Sequence, residues 1–419
     1  MKKLLYLIFI AWFFSILISI VWTFENPEKI EKIKSFFKKK KKIEINIPKN
    51  NSTIFNANSF DVEIQKILEL NEKTAFVINN QSPDKFNIED LEIYTQTGSL
   101  IKNLESSKLN LPKSFTLQRN GGIKTIISYK NERIALISNS KMECFFVSLF
   151  SLNSNKELFK SKCLPEIAKN NDFNGVGSSN VHMKSSILFS LGTPEKHASK
   201  NSLLAQKEKS KFGKILEIDK LDLENKIKNN SKELNIKVFS KGHRVPQGLT
   251  IFNGEVFSVE HGPKGGDELN KVSMGNNHGW PLVSYGTNYL KDGGGDGASF
   301  IINHELNGFN EPLFAFIPSV GISSLNNCPK VLNDYYKKNC LIALSLYGNN
   351  LRKGHSIIVF LLNEKLNKVE SVEKIRLGNL VLRHFVTNER NILYEDEEGN
   401  IYISADKKGI FKLSFKNFR

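Results

Sequence analysis

The chain is divided into short alternating apolar runs, and few folds accommodate that pattern. Thr74–Asn79 (TAFVIN), Thr125–Tyr129, Ile134–Ser138, Phe145–Leu152, Ile187–Leu191, Leu249–Phe252, Val256–Glu260, Cys340–Leu346, Ser356–Leu362, Ile401–Ser404 and Phe411–Phe415 each read as a strand, separated by clusters of Asn, Ser, Gly and Lys. Alternation at period two gives each run one buried face, whereas an amphipathic helix repeats every three or four residues. Only Lys220–Asn230 (KLDLENKIKNN) reads as a helix or polar excursion. The pattern predicts an all-β fold. More than a dozen strands exceed one sandwich, and a propeller of four-stranded blades fits them best. No clean 40-residue repeat marks the blades. The last runs, NIYISAD and GIFKLSF, follow the turning pair Glu398-Gly399, so the chain ends in strand. That is expected where final strands close a ring against an early segment.

The N-terminus is of another kind. Leu4–Phe24 is almost unbroken apolar sequence behind Lys2 and Lys3, long enough to cross a bilayer, and no small-x-small cleavage site precedes Glu25. The expectation is an uncleaved transmembrane anchor over residues 1–24, a basic linker over 25–58 carrying Lys38–Lys42, and a propeller over 59–419. Formal net charge is +16, but lysine is spread along the chain rather than gathered with arginine and aromatics in one patch. Nucleic acid is therefore not an expected partner. The lysines beyond the apolar run argue for a cytoplasmic body by the positive-inside rule. The cysteines argue the other way. Cys144 and Cys163 would face each other across a hairpin turned at Asn153–Asn155, and Cys328 and Cys340 would close the loop CPKVLNDYYKKNC. Two disulfides place the body in the periplasm or elsewhere outside the cytoplasm. The competing reading is four buried free thiols.

Chemistry concentrates in Gly242–Tyr289, GHRVPQGLTIFNGEVFSVEHGPKGGDELNKVSMGNNHGWPLVSYGTNY. Asn253-Gly254 predicts a hairpin, which brings Arg244 and Gln247 beside the loop Glu260–Asn270. Glycines around Pro263 free backbone carbonyls, and Asp267 and Glu268 add carboxylates, the oxygen set a hard cation prefers. Arg244 adds a cation suited to a carboxylate-bearing ligand. The plainer reading is a glycine-rich turn with surface charges.

Three motifs in order, GHR-x-PQG, EHGP-x-GGDELN and N-x-GWP-x-x-SYG, resemble the pyrroloquinoline quinone (PQQ) dependent sugar dehydrogenases, the glucose/sorbosone dehydrogenase family. Weaker similarity runs from about Gly121 to the C-terminus. The resemblance implies a six-bladed β-propeller with PQQ over a calcium ion at one mouth. It implies that Arg244 holds PQQ, that the carbonyls of Gly262 and Pro263 hold the catalytic calcium, and that Glu268 and Tyr285 belong to a second calcium site. It further implies an arginine contact to PQQ near the C-terminus, at Arg390 or Arg383. The chain departs from the family pattern at Val245, where asparagine is usual. Phe173–Ser179 (FNGVGSS) offers no histidine where the family's catalytic base opens its element, and Ser179 and Thr193 replace an arginine and an aspartate. His182, a few residues on, is the candidate base. The family lysine is replaced near Tyr347. The implied activity is a membrane-anchored, PQQ- and calcium-dependent dehydrogenase that oxidises an aldose at the anomeric carbon and passes electrons to an acceptor. The departures suit an alternative, a non-catalytic propeller binding calcium and a sugar, glycan or protein partner.

Overall fold

The predicted runs pair with their sequence neighbours into five antiparallel four-stranded sheets and one six-stranded sheet. They are seen in a computed structural model that describes residues 43–48, 51–79, 86–142, 144–164, 172–195, 200–229, 234–289, 296–346 and 354–419. Leu4–Phe24 and Lys38–Lys42 lie outside the described residues, as does Tyr347; among the described residues no helix is long and apolar enough to cross a membrane. Blade one comprises Thr74–Asn79, Leu91–Thr95, Ser99–Lys102 and Glu105–Lys108; blade two comprises Ile123–Tyr129, Glu132–Lys141, Cys144–Ser151 and Lys156–Lys160. Blade three is Asn180–His182, Ser186–Leu191, Lys214–Asp219 and Ile236–Lys241, and blade four is Val245–Phe252, Glu255–His261, Asp267–Val272 and Phe314–Phe316. Ile322–Asn327, Asn339–Ser345, Ser356–Leu362 and Val369–Arg376 form blade five.

Blade six joins the two ends of the propeller. Leu382–Phe385, Ile401–Ala405 and Gly409–Lys416 pair in order, and Asp61–Leu70 adds as the fourth strand. The chain is thus a six-bladed β-propeller closed by a late and an early segment, as its sequence predicts. Ser52–Asn56 and Ile45–Asn46 add to Asp61–Leu70 as well. The sequence reads these residues as linker, because they follow a lysine run and only Ser52–Asn56 has enough alternation to pair. Lys220–Asn229 is the expected helix and joins the third and fourth strands of blade three, and Lys330–Tyr336 forms a second helix inside the loop between Cys328 and Cys340. Both disulfides are present, with Cα atoms 5.3 Å apart for Cys144–Cys163 and 5.4 Å for Cys328–Cys340.

Apolar clusters fill the space between neighbouring blades. Phe145, Val147 and Leu149 of blade two pack on Ile187, Phe189 and Leu216 of blade three, and Phe257 and Val259 of blade four on Leu341 and Ala343 of blade five. The first strand of each blade is left to line the axis, so polar residues collect there. In five blades that strand carries a one-residue bulge near the end at which it starts, at Ala75, Lys124, Gln247, Ser323 and Arg383. A bulge releases a side chain from the pairing ladder and re-aims it. These starting ends define the upper face of the ring.

Candidate active site

Blade four builds one lip of the upper face. Asn253 and Gly254 have φ of 49° and 82°, the doubly positive pair of a type I′ turn. The turn sets Val245 opposite His261 and Pro246 opposite Glu260, so Arg244 meets the loop Gly262–Gly266 as the hairpin reading requires. Two of its glycines, Gly262 and Gly266, leave no room for a side chain. A Cβ on Gly262 would lie 2.1 Å from the carbonyl oxygen of Gly266, and Gly266 itself takes φ +69°.

Two buried carboxylates hold the lip. Asp267 Oδ2 accepts from the backbone N–H groups of Val320, Gly321 and Ile322 at 3.0, 2.6 and 3.2 Å, and Oδ1 accepts from Gly262 N at 3.2 Å. Its acceptor capacity is committed to backbone, so Asp267 fixes loops of blades four and five rather than offering itself to a cation. Glu260 Oε2 accepts from Arg244 N at 2.8 Å, while Oε1 accepts from Asn270 Nδ2 at 2.8 Å and faces His243 Nδ1 at 3.1 Å. His243 is fully buried, with Nε2 2.8 Å from Ser240 Oγ.

Arg244 emerges from this frame. It is 6 % exposed, and its guanidinium lies 5.2 Å from the Trp280 ring centroid. Nη1 donates to the carbonyls of His261, at 3.3 Å, and Gly262, while Nε is buried with no hydrogen-bond partner. A buried donor left unmade costs about 1–3 kcal/mol. An anionic ligand would relieve that cost, so this corner fits a carboxylate-bearing group. His261 Nε2 is likewise buried without a partner. Burial holds the His261 imidazole below its usual range, and Arg244 and Arg383 add to the effect.

Glu268 and Tyr285 are brought together a little further out. Glu268 stands directly opposite Glu260 in the strand register, and Asn270 Nδ2 bridges the two carboxylates at 2.8 and 3.2 Å. Burial, and then the charge of Glu260, raise the Glu268 carboxyl well above the usual range. His304 lies between Glu268 (Nε2–Oε1 3.9 Å) and Glu311 (Nδ1–Oε2 3.7 Å) and stacks on Tyr285 with ring centroids 5.1 Å apart. Tyr285 donates its hydroxyl to Glu311 Oε2 at 2.7 Å, and burial pushes its pKa up to about 12. Two carboxylates are among the oxygen donors calcium uses, while the Tyr285 hydroxyl is committed to Glu311. Among the described residues, no three His, Cys, Asp or Glu side chains are placed to hold a metal ion.

Blades one, two and six supply the opposite lip. Arg383 donates from Nε and Nη2 to the two oxygens of Asp406, and Lys73 Nζ lies 3.8 Å from Asp406 Oδ2. Thr193, at the family aspartate's place, donates its backbone N–H to the carbonyl of Arg244 at 2.8 Å. Its hydroxyl lies 3.0 Å from Glu195 Oε1, a buried carboxylate the sequence reading passes over.

The structure does not bring His182 and Arg390 to this face. His182 pairs with Ile187, whereas Leu191 pairs with Lys214 and Lys214 with Lys241, next to Gly242. Four residues of strand separate those levels, about 13 Å at ~3.3 Å per residue. Burial pushes the His182 imidazole down to about 4, and the charges of Lys220 and Arg390 act in the same sense. Arg390 therefore shares the lower end with His182. Its neighbour Asn391 fills the axis there, donating to Asn180 O at 2.6 Å and accepting from Asn326 Nδ2 at 3.3 Å. Of the two C-terminal arginines the resemblance points to, Arg383 is the one on the upper face. The sequence does not single out Glu260, His243, His304 and Glu311; their only signal is acidic and imidazole residues recurring near the motifs, and placing them needs the strand register.

The Glucose / Sorbosone dehydrogenase family model matches residues 135–410. The chain belongs to the glucose/sorbosone dehydrogenase family. Among characterised relatives, it is 44% identical over 55 residues to aldose sugar dehydrogenase of Escherichia coli, covering 13% of this chain and 15% of the relative. It is 36% identical over 77 residues to quinoprotein glucose dehydrogenase B of Acinetobacter calcoaceticus, covering 17% and 16%. The matched segments thus span less than a fifth of these relatives' lengths. The fold is similar to that of the PQQ-bound aldose sugar dehydrogenase of Streptomyces coelicolor, with a TM-score of 0.53 at 16% identity over 89% of this chain and 98% of that one.

Proposed function

We propose that the upper face is the cofactor and substrate site of a PQQ- and calcium-dependent aldose dehydrogenase that oxidises its sugar at the anomeric carbon. The observation that carries this reading is Arg244, a buried guanidinium stacked on Trp280 with Nε unpartnered beside a glycine-lined loop. The names of the two relatives, an aldose sugar dehydrogenase and a quinoprotein glucose dehydrogenase, supply the chemistry that suits it. PQQ when bound supplies a two-electron acceptor.

In this reading Arg244 and Arg383 hold carboxylates of the cofactor from opposite lips, and Trp280 covers the Arg244 side against water. The carbonyls of Gly262 and Pro263 face a calcium ion. Arg244 Nη1 now donates to the Gly262 carbonyl, so cation binding there requires the guanidinium to turn toward the cofactor. Glu268, Tyr285 and Glu311 serve a second calcium. Val245 contributes no polar contact where the family has asparagine, so orientation of the quinone rests on the arginines. His182 and Arg390 act on the lower end of the axis rather than at reacting atoms. Leu4–Phe24 tethers the propeller to a membrane, outside the cytoplasm, within reach of an electron acceptor.

The test uses the purified full chain supplied with PQQ and calcium, followed by aldose-dependent reduction of a redox dye. Saturable turnover that disappears when PQQ or calcium is omitted supports the reading. A correctly folded chain that reduces no dye with any aldose contradicts it.

A further inference from the structure

We propose that Lys124 is the proton acceptor of the upper face, taking the hydroxyl proton of the sugar that the histidine-free element Phe173–Ser179 has no side chain to receive. This rests on the dehydrogenase reading above. Lys124 is the bulged residue of the first strand of blade two, since Ile123 pairs with Ile137 and Thr125 with Leu136. Its place in the ring is therefore equivalent to that of Arg383 in blade six and Gln247 in blade four.

The surroundings tie Lys124 to the element that lacks its histidine. Nζ donates to the backbone carbonyl of Asn120 at 2.7 Å. Asn120 Nδ2 in turn donates to both oxygens of Asp172, at 3.0 and 2.8 Å. Asp172 caps the turn Phe173–Gly175 by accepting from Asn174 N at 2.7 Å. Two hydrogen-bonded steps thus link the amine to the start of FNGVGSS.

The charged groups facing Lys124 are Asp172, which favours its ammonium form, and Arg383 and Lys73, which disfavour it while both lie against Asp406. Burial is the largest influence and pushes the amine down to about 7. An acceptor matched to neutral pH transfers protons most effectively. In the step itself the O–H bond breaks, its proton goes to the neutral Lys124 Nζ, which becomes an ammonium, and its electron pair forms the new C=O bond. The anomeric C–H bond breaks at the same carbon, its hydrogen leaving with both electrons as hydride for the quinone named above.

The test has two arms, both on the full chain. In the first, lysines are competitively acetylated with acetic anhydride between about pH 5 and 10 without cofactor, and each site is quantified by mass spectrometry. Lys124 should titrate near 7, whereas exposed lysines titrate near about 10.4. Titration of Lys124 with the exposed lysines would overturn the proposal. In the second, wild type, Lys124→Met and Lys124→Arg are loaded with PQQ and calcium. Quinone absorbance measures cofactor affinity, and dye reduction gives kcat against pH. Lys124→Arg keeps the charge and a donor to Asn120 but cannot release its proton. Both variants should lose about 10²–10⁴ in kcat, with quinone affinity kept in Lys124→Arg. Wild type should lose rate as pH falls through about 7. A wild type that turns over while Lys124→Arg matches it overturns the role of Lys124 alone. A wild type that never turns over removes the dehydrogenase reading and this role together.

Discussion

Asp267 ties two blades together with a single carboxylate, since four backbone N–H groups from two loops converge on it. Asp267→Ala leaves those donors without acceptors. It should lower unfolding free energy by at least about 3 kcal/mol in a urea titration, because bonds to charged acceptors are worth ~1.5–3 kcal/mol each. An unchanged urea midpoint would remove Asp267 as the anchor. Glu268 works in the opposite sense. Its folded-state pKa is raised, so its protonation stabilises the folded chain fully below the unfolded value near 4.5, and that contribution is lost as pH rises through the folded value. Calcium needs the carboxylate, so calcium-induced stabilisation should grow over the same rise. Glu268→Gln should abolish the calcium-dependent increase in Tm and flatten the pH dependence of the metal-free chain; melting curves with calcium or chelator decide it. The sequence made Arg244, Asp267 and Glu268 legible because one hairpin turn brings their segments together. It hid the Glu260–Glu268 opposition, which depends on register between two strands. It also left the level of His182 undetermined, because a three-residue strand gives too little pattern to place along the axis.

At the scale of elements, the Asn-Gly turn and the two cysteine pairs could be read directly, because each is a local signal. The inner-strand bulges could not, since a bulge exists only relative to a partner strand. The bulges nevertheless decide which residues reach the upper face, Lys124 and Arg383 among them. The Cys144–Cys163 bond closes a separation of 19 residues, from the start of the third strand of blade two to just beyond its fourth. Replacing both by alanine should cost about 3 kcal/mol through the freed unfolded chain. Calorimetry reports the loss, and an unchanged Tm would contradict it. In blade four the constraint is steric. Gly262→Ala places its methyl against Gly266 O, so the loop must open, and calcium affinity should fall more than global stability.

The ring closes through Gly409–Lys416, which pairs with Ile401–Ala405 on one side and Asp61–Leu70 on the other. Asn417 and Arg419 add hydrogen bonds to Asp61 at 2.8 and 2.6 Å, and these lower its carboxyl to about 2. Deleting residues 409–419 removes the link between first and last segments, and the chain should lose cooperative thermal unfolding; a sharp transition near the wild-type Tm would contradict the closure. This closure was legible because the chain ends in two clean strands, and the blade count came from the resemblance and the tally of runs. The central claim is that the upper face holds an anionic quinone on Arg244. Titrating the calcium-loaded full chain with PQQ, and reading the quinone absorbance of wild type and Arg244→Ala side by side, tests it most directly. The account predicts saturable binding that weakens about ten- to a hundred-fold in Arg244→Ala, as the loss of one charged hydrogen-bonding group entails. Equal binding by both chains, or none by the wild type, would contradict it.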